Sequence, residues 1–358
     1  MVSGQPIYVV GPCSAESREQ VLETASELVT VSRQSAFSFI FRAGVWKPRT
    51  SPHTFQGVGD EGLEWLAEVK RQYGVPVATE VALPEHVEAA VRAGIDYLWI
   101  GARTAANPIA VQEIADAIGI QNTEHRIQTE NVSTLSAKRS VLCQPKAVLI
   151  KNPVNADAGL WLGNIERLEK TGLPVMAVHR GCNHQPCWGM AHQVRTARPD
   201  IPMLLDPSHM SGNAAQVPVL LEKITELQLD GAMIEVHPHP EEALSDAGQQ
   251  ITPEALSEVM KDRYAVGTAD AERLELNWLR AEIDELDDRL WETMAARMDV
   301  SRRIGLWKKA QHIAPLQPQR FQHILDARRE WAQANGVDAA FVEKVFELIH
   351  QESLKKQE

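Results

Sequence analysis

Eight short apolar runs, each followed by a polar or helical stretch, limit what this chain can fold into. They are Ile7–Cys13, Phe39–Val45, Val75–Glu80, Tyr97–Ala102, Ala147–Asn152, Val175–Gly181, Pro202–His209 and Gly231–Pro238. Each is near-continuously hydrophobic, as a parallel strand covered on both faces must be. Amphipathic segments lie between them, such as Gly62–Tyr73, with Leu63, Leu66 and Val69 on one face, and Glu85–Ala93. Eight strand-then-helix units in about 260 residues predict an α/β TIM (β/α)8 barrel. Gly119–Pro145 fits less well. Polar and without a clear period, it is expected to hold the helix after strand four and an irregular connection.

Reactive side chains gather at the C-terminal ends of these runs: Cys13, Arg42 and Lys47, Glu80, Arg103, Lys151, His179 and Arg180, Asp206 and His209, Glu235. A barrel draws its catalytic groups from that face and from different strands. Any one of these residues could be a solvated loop charge. Their recurrence at run after run predicts a site at the barrel mouth.

Five cations there (Arg42, Lys47, Arg103, Lys151 and Arg180) outnumber the acids nearby and point to a small polyanionic substrate. Cys13, His209, Glu235 and Asp246 offer one sulfur, one nitrogen and two oxygen donors. That mixture suits a divalent transition metal better than calcium. Fewer than six protein ligands leave a position for a substrate oxygen. A rival zinc site could be built from Cys182 and Cys187 with His179 and His184, although the spacing is not that of a finger. Cys143 is expected to have no special role.

Composition narrows the partners. At 358 residues the chain has room for one large domain and a smaller one, and its 44% hydrophobic content provides an ordinary core. A formal net charge of −12 disfavours nucleic acid. Four cysteines, no signal peptide and no apolar run of transmembrane length predict reduced thiols in the cytoplasm, away from membranes.

The motifs GPCSAES (11–17), FRAGVWKPRTSP (41–52), GARTAANP (101–108), KNPVN (151–155), HRG (179–181), DPSH (206–209) and IEVHP with ALSDAGQQ (234–250) resemble the type I DAHP synthases, closest to their shorter subgroup. The resemblance runs in order from residue 5 to about 260. It implies condensation of phosphoenolpyruvate with erythrose 4-phosphate, with release of phosphate. By position it implies Cys13, His209, Glu235 and Asp246 as metal ligands, the ion expected being Mn2+, with Co2+, Fe2+ or Zn2+ as alternatives. It implies Arg103 and Arg180 on the phosphoenolpyruvate phosphate, and Arg42 and Lys151 on its carboxylate. Lys47 would stand near the reacting carbons as a proton donor, Arg49 and Thr50 would receive erythrose 4-phosphate, and Glu80 and His179 would support. The sister synthase that uses arabinose 5-phosphate is similar elsewhere but carries a different loop in place of KPRTSP.

After Thr252–Met260, the last barrel helix, the pattern changes. From Ala271 to about Gln311 there is no Pro and one Gly, and Leu276, Leu279, Ile283, Leu286, Leu290, Met294 and Ile304 follow helical spacing. Forty residues make a rod of roughly 60 Å. That is longer than a ninety-residue domain is wide, so a partner chain is expected to cover it. Helices at about Gln317–Ala334 and Asp338–Lys355 follow, separated by the Asn335-Gly336 stop. Arg297 falls on the apolar stripe, where a cation needs an anion to meet or must snorkel at an edge. The division expected is a barrel over 1–264, a linker over 265–272 and a three-helix all-α domain over 273–358.

LRAEIDELDDRLWETMAARMDVSRRIGLWK (279–308) and FELIHQESLKKQ (346–357) resemble the all-helical, dimeric chorismate mutases. The resemblance implies a homodimer through the helical domain, with Arg280 reaching the partner's site and Arg297 binding a substrate carboxylate in its own. Lys308 and Gln357 would bond the ether oxygen of chorismate, with Arg320 and Ser353 as secondary contacts. Two positions depart from the family: Phe321 stands where Glu is usual and Gln317 where Asp is common. Both bear on how the substrate hydroxyl is anchored and predict modest activity. A reading from another class makes the helices a dimerisation and sensing module for chorismate or prephenate. A barrel that binds sugar phosphate without turnover would hold no metal. With the first strand starting at about residue 7, no N-terminal regulatory extension is expected, and the mutase domain would gate the barrel with prephenate as inhibitor.

Overall fold

The computed structural model describes residues 6–49, 51–131, 144–261 and 271–357. Eight parallel strands close into a barrel in sequence order: β1 (Ile7–Gly11), β2 (Phe39–Arg42), β3 (Val77–Val81), β4 (Tyr97–Ile100), β5 (Ala147–Lys151), β6 (Val175–His179), β7 (Met203–Leu205) and β8 (Gly231–Glu235). The apolar runs read from sequence overshoot most strands by a few residues. The overhang carries Cys13, Arg180, Asp206 and His209, while Arg42, Glu80, Lys151, His179 and Glu235 stand within the strands.

Side chains alternate along each strand because successive Cβ atoms point to opposite faces. Val9 packs inside the barrel with Ile40, Ala78, Trp99, Leu149, Met176, Leu204 and Met233. Its neighbour Val10 faces the surrounding helices. Closure of β8 on β1 sets Ile7 opposite Gly231. Gly231 has φ +148°, and a Cβ there would sit 1.9 Å from the Ile7 carbonyl oxygen, so only glycine fits the seam. Helices Arg18–Ser35, Asp60–Tyr73, Pro84–Ala93 and Pro253–Lys261 bury their apolar faces on the sheet. The polar stretch after β4 begins as a helix over Pro108–Asn131. Cys143 lies outside the described residues, as does most of the expected linker.

Contacts divide the chain into two compact units, Met1–Glu282 and Ile283–Glu358. The long helix Ala271–Ala310 begins in the first. There Trp278 is 2% exposed, edge-on to Trp188 and stacked 5.4 Å from His192. Glu282 and Glu275 meet the two ring nitrogens of His192 at 2.7 and 3.0 Å. In the second unit the long helix continues beside Pro318–Ala334 and Ala339–Gln357. Gly305 lets helices approach closely, since a Cβ there would lie 2.5 Å from Gln357 Cα.

Candidate active sites

At the mouth of the barrel, residues far apart in sequence are brought together by the closed strand order. Ligand atoms of Cys13, His209 and Glu235 lie within 4.8 Å of one another. His209 Nε2 is 3.6 Å from Glu235 Oε1. Asp246 joins from a loop, with Oδ2 accepting the Cys13 thiol at 3.1 Å and both oxygens held by Arg49 Nη1 at 3.2 Å. Burial, with Glu235 and Asp246 adding to it, pushes the Cys13 thiol up to about 12 against the pull of Lys47 and Arg42. A divalent ion reverses that penalty by taking the thiolate directly. Burial foremost lowers His209, so the ring is neutral near pH 7, the form that ligates metal. The donor set therefore fits a transition metal ion. Among the described residues, Cys182, Cys187, His179 and His184 form no comparable group.

The supporting shell was only partly foreseen. Asp206 caps the short helix Pro207–Ser211 and accepts from the His209 backbone N–H at 3.0 Å. It also lies 3.1 Å from His209 Nδ1, which turns Nε2 toward Cys13 and Glu235. Burial alone would raise Asp206, but His209 and Lys151 outweigh it and hold the carboxyl well below its usual range. Gln249 Nε2 donates to Glu235 Oε2 at 2.7 Å, and Gln250 Oε1 accepts from the Cys13 backbone N–H at 3.0 Å. Both glutamines were in view within ALSDAGQQ, yet nothing in their spacing marked them. Asp206 was marked by its place at the end of the run Pro202–His209, but its role in holding His209 was not.

Cations surround this cluster. Arg42, 1% exposed, pairs with Glu235 at 3.0 Å and lies over the Trp99 ring at 4.8 Å. Its Nε and Nη1 are buried with no hydrogen-bond partner. Two orphaned guanidinium donors side by side suit an anion such as a carboxylate. Lys47 Nζ donates to the Cys13 carbonyl and reaches its sulfur, both at 3.1 Å. Lys151 Nζ donates to Asp206 at 2.6 Å. The sequence left these cations in excess of nearby acids; three of the site's cations (Arg42, Arg49 and Lys151) in fact carry a carboxylate each. Arg180 is oriented by Asn152, which accepts from its backbone N–H at 2.7 Å.

A cavity of about 190 Å3 opens on this cluster and is lined by Lys47, Arg49, Glu80, Arg103, Lys151, Arg180, His184, His209, Asp246 and Gln249. An adjoining hollow of about 550 Å3 shares Lys47, Arg49 and Arg103. Glu80 lies close against Gly101, where a Cβ would displace its carboxylate. His184 was not expected as a site residue for the barrel substrates. It stands at φ +60°, with Asn183 and Cys187 in the same left-handed region, a strained loop of the sort found at binding sites. His179 is fully buried between Trp161 and Trp188, outside the cavity lining. Burial pushes it down to about 4. Thr50 lies outside the described residues.

The second unit has its own cleft, about 330 Å3, lined by Arg297, Lys308, Arg320, Phe321, His350, Ser353 and Gln357 among others. Arg297, Ile304 and Lys308 share one face of the long helix, and Ser353 and Gln357 one face of the last. Arg297 donates to the Ser353 hydroxyl, and Lys308 Nζ to Gln357 Oε1 at 3.0 Å and the Pro315 carbonyl at 2.6 Å. Gln317 lines the same cleft. Arg280 belongs to the first unit and is not among the residues lining this cleft.

Comparison with known proteins bears on both units. Residues 3–140 and 144–267 match the DAHP synthetase I family, and residues 279–358 match chorismate mutase type II. A phospho-2-dehydro-3-deoxyheptonate aldolase of Thermotoga maritima is 29% identical, covering 75% of this chain and 71% of that protein. A 2-dehydro-3-deoxyphosphooctonate aldolase of Wolinella succinogenes is 28% identical over 73% of this chain and 98% of its own. The crystal structure of the Thermotoga DAHP synthase superposes with a TM-score of 0.58 at 26% identity, over 73% of this chain and 68% of that one.

Proposed function

The chain belongs to the DAHP synthetase I family through its barrel and is a bifunctional enzyme of the shikimate pathway, and on that premise we propose how its two clefts divide the chemistry. The barrel condenses phosphoenolpyruvate with erythrose 4-phosphate to DAHP and phosphate. The helical cleft rearranges chorismate to prephenate. The observation that carries the barrel reading is the meeting of Cys13, His209 and Glu235 beside a cavity walled by Lys47, Arg49, Arg103, Lys151 and Arg180.

Cys13, His209, Glu235 and Asp246 would hold a divalent ion, Mn2+ first among the candidates. When bound, such an ion supplies Lewis acidity toward the aldehyde oxygen. The protein's own groups do the rest. Arg42 offers its two free donors, with Lys151, to the phosphoenolpyruvate carboxylate, and Arg103 and Arg180 hold the phosphate. Arg49, with Thr50, receives the sugar phosphate. Fixing two mutually repelling anions in one cavity lowers the entropic barrier to their reaction. Lys47, against Cys13, is positioned to give a proton as C3 of phosphoenolpyruvate bonds to the aldehyde carbon. Water then adds at C2, and C–O cleavage releases phosphate. Glu80 and His179 support the walls. The KPRTSP loop (47–52) favours erythrose 4-phosphate over arabinose 5-phosphate.

In the helical cleft a pericyclic rearrangement needs no base. Arg297 and Arg320 hold carboxylates in a compact conformer, Ser353 helps to position Arg297, and Lys308 with Gln357 serves the ether oxygen where negative charge grows. Leu276, Leu279, Ile283, Leu286 and Leu290 recur at heptad spacing and are 44–58% exposed. A second copy covers this stripe, giving a homodimer in which Arg280 enters the other subunit's cleft. Catalysis, not sensing alone, is assigned to a cleft that keeps Arg297, Lys308 and Gln357. We divide the chemistry at 1–264 and 273–358 and assign prephenate as an inhibitor of the barrel. No helix among the described residues is long and apolar enough to cross a membrane, and we assign the enzyme to the cytoplasm, where Cys13 stays reduced. The test is one preparation assayed for DAHP with either aldose phosphate, for chorismate loss, and for bound metal. DAHP formation that survives complete metal removal would overturn the barrel mechanism.

A further inference from the structure

We propose that His350 is a substrate contact of the helical cleft and that its ring nitrogen takes the hydroxyl of chorismate; this deepens, and rests on, the mutase reading of that cleft. His350, Ser353 and Gln357 stand at i, i+3 and i+7 on the last helix and so share one face. Ser353 and Gln357 are already bonded, to Arg297 and Lys308. His350 Nε2 is buried within the second unit with no hydrogen-bond partner. The ring lies flat on Phe321, centroids 3.9 Å and planes 13° apart, so it is seated by its face. His350 lines the cleft, and a small shift of the ring over Phe321 brings its closed-off, unpartnered Nε2 to a ligand group there.

The chemistry of the substrate says which group. Chorismate carries two carboxylates, an ether oxygen and one hydroxyl. The guanidinium and ammonium groups suit the first three. The hydroxyl is neutral and can both donate and accept. No Asp or Glu is among the residues lining the cleft to receive it. Burial foremost, then Arg297 and Lys308, hold His350 below the ordinary imidazole value, so the ring is uncharged near neutral pH and presents one donor and one acceptor. Position 321, where the resembled family usually has Glu, is here the phenyl seat of this ring. The acid lost at 321 is answered by a neutral polar group at 350.

The experiment compares full-length wild type, His350→Leu and His350→Gln on chorismate and on an analogue lacking the ring hydroxyl. His350→Leu is expected to raise KM for chorismate about tenfold, the equivalent of about 1.4 kcal/mol, and to leave KM for the deoxy analogue unchanged. His350→Gln, which keeps a donor and an acceptor, is expected to recover most of the loss. An equal change on both substrates, or no change on chorismate, overturns the proposal. Should His350→Leu fail to fold, Phe321→Leu removes the seat of the ring and goes through the same two-substrate comparison, where the same outcomes support or overturn the contact. Calorimetric binding of a bicyclic diacid with and without the hydroxyl separates the two readings. A wild type that binds the diacids but does not turn over chorismate ends the mutase reading. His350→Leu must still weaken the hydroxylated diacid alone, and failure to do so overturns the contact.

Discussion

At the barrel mouth Arg42 is paired with Glu235, Lys151 with Asp206 and Arg49 with Asp246, whereas Arg297, Lys308 and Arg320 line the helical cleft with no carboxylate among its lining residues. The difference is one of who supplies the counter-charge. Eight strands and their loops bring acids to the barrel's cations, so the charges are held in place before any substrate arrives. A bundle of three helices has fewer walls. Burial, and then Arg328, lowers the Arg297 guanidinium, and relief comes with a dianionic ligand. Three of the barrel's cations are paired within the chain; under the dimer we propose, the cleft would be completed by its substrate and a second copy.

The sharpest break in this comparison is Cys13→Ala. Losing several kcal/mol of metal stabilisation is expected to cut DAHP formation by about a thousandfold or more. Elemental analysis should find the bound metal gone while chorismate turnover persists. Retained metal would mean that the sulfur is not a ligand. Next comes Arg297→Ala, which removes a charged hydrogen bond and should lower kcat/KM for chorismate about a hundredfold. The barrel rate should not follow, and if it does the two sites are not separable.

Leu286→Glu tests the dependence on a partner. Sedimentation should report a monomer, with mutase activity down by about thirtyfold, the worth of roughly 2 kcal/mol from Arg280. Arg280→Ala should match that loss at unchanged mass. A monomer with full mutase activity would sink the shared cleft. The smallest effect expected is from Gln249→Ala. Chelator competition should show metal affinity about tenfold weaker, since Gln249 only holds Glu235 in position. Affinity that does not move would mean that the Gln249–Glu235 hydrogen bond does not position the ligand set.

The sequence and the structure agree on what repetition and periodicity can encode. Buried parallel strands must be apolar along their length, and eight such runs count a barrel. The limits Asp60–Tyr73, Ala271–Ala310 and Pro318–Ala334 fall within two residues of those expected. Cys13, His209, Glu235 and Asp246 were visible because unusual donors sat at strand ends or in a family motif. The first turns of the long helix were legible as a helix, but nothing in them said that Trp278 would bury itself against Trp188.

Residue types at strand ends, helical spacing and the order of motifs thus determined from sequence alone that this is a barrel with cationic side chains and mixed sulfur, nitrogen and oxygen donors at its mouth, followed by three helices. Only the tertiary structure decided which groups meet: Gln250 with Cys13 across 237 positions, Arg42 with Glu235 across 193, His350 against Phe321. It also decided that His179 packs between tryptophans instead of lining the cavity. The physical reason is range. Hydrophobic periodicity is written locally along the chain, while a hydrogen bond between distant side chains is fixed by strand register and helix packing, which no short stretch of sequence contains.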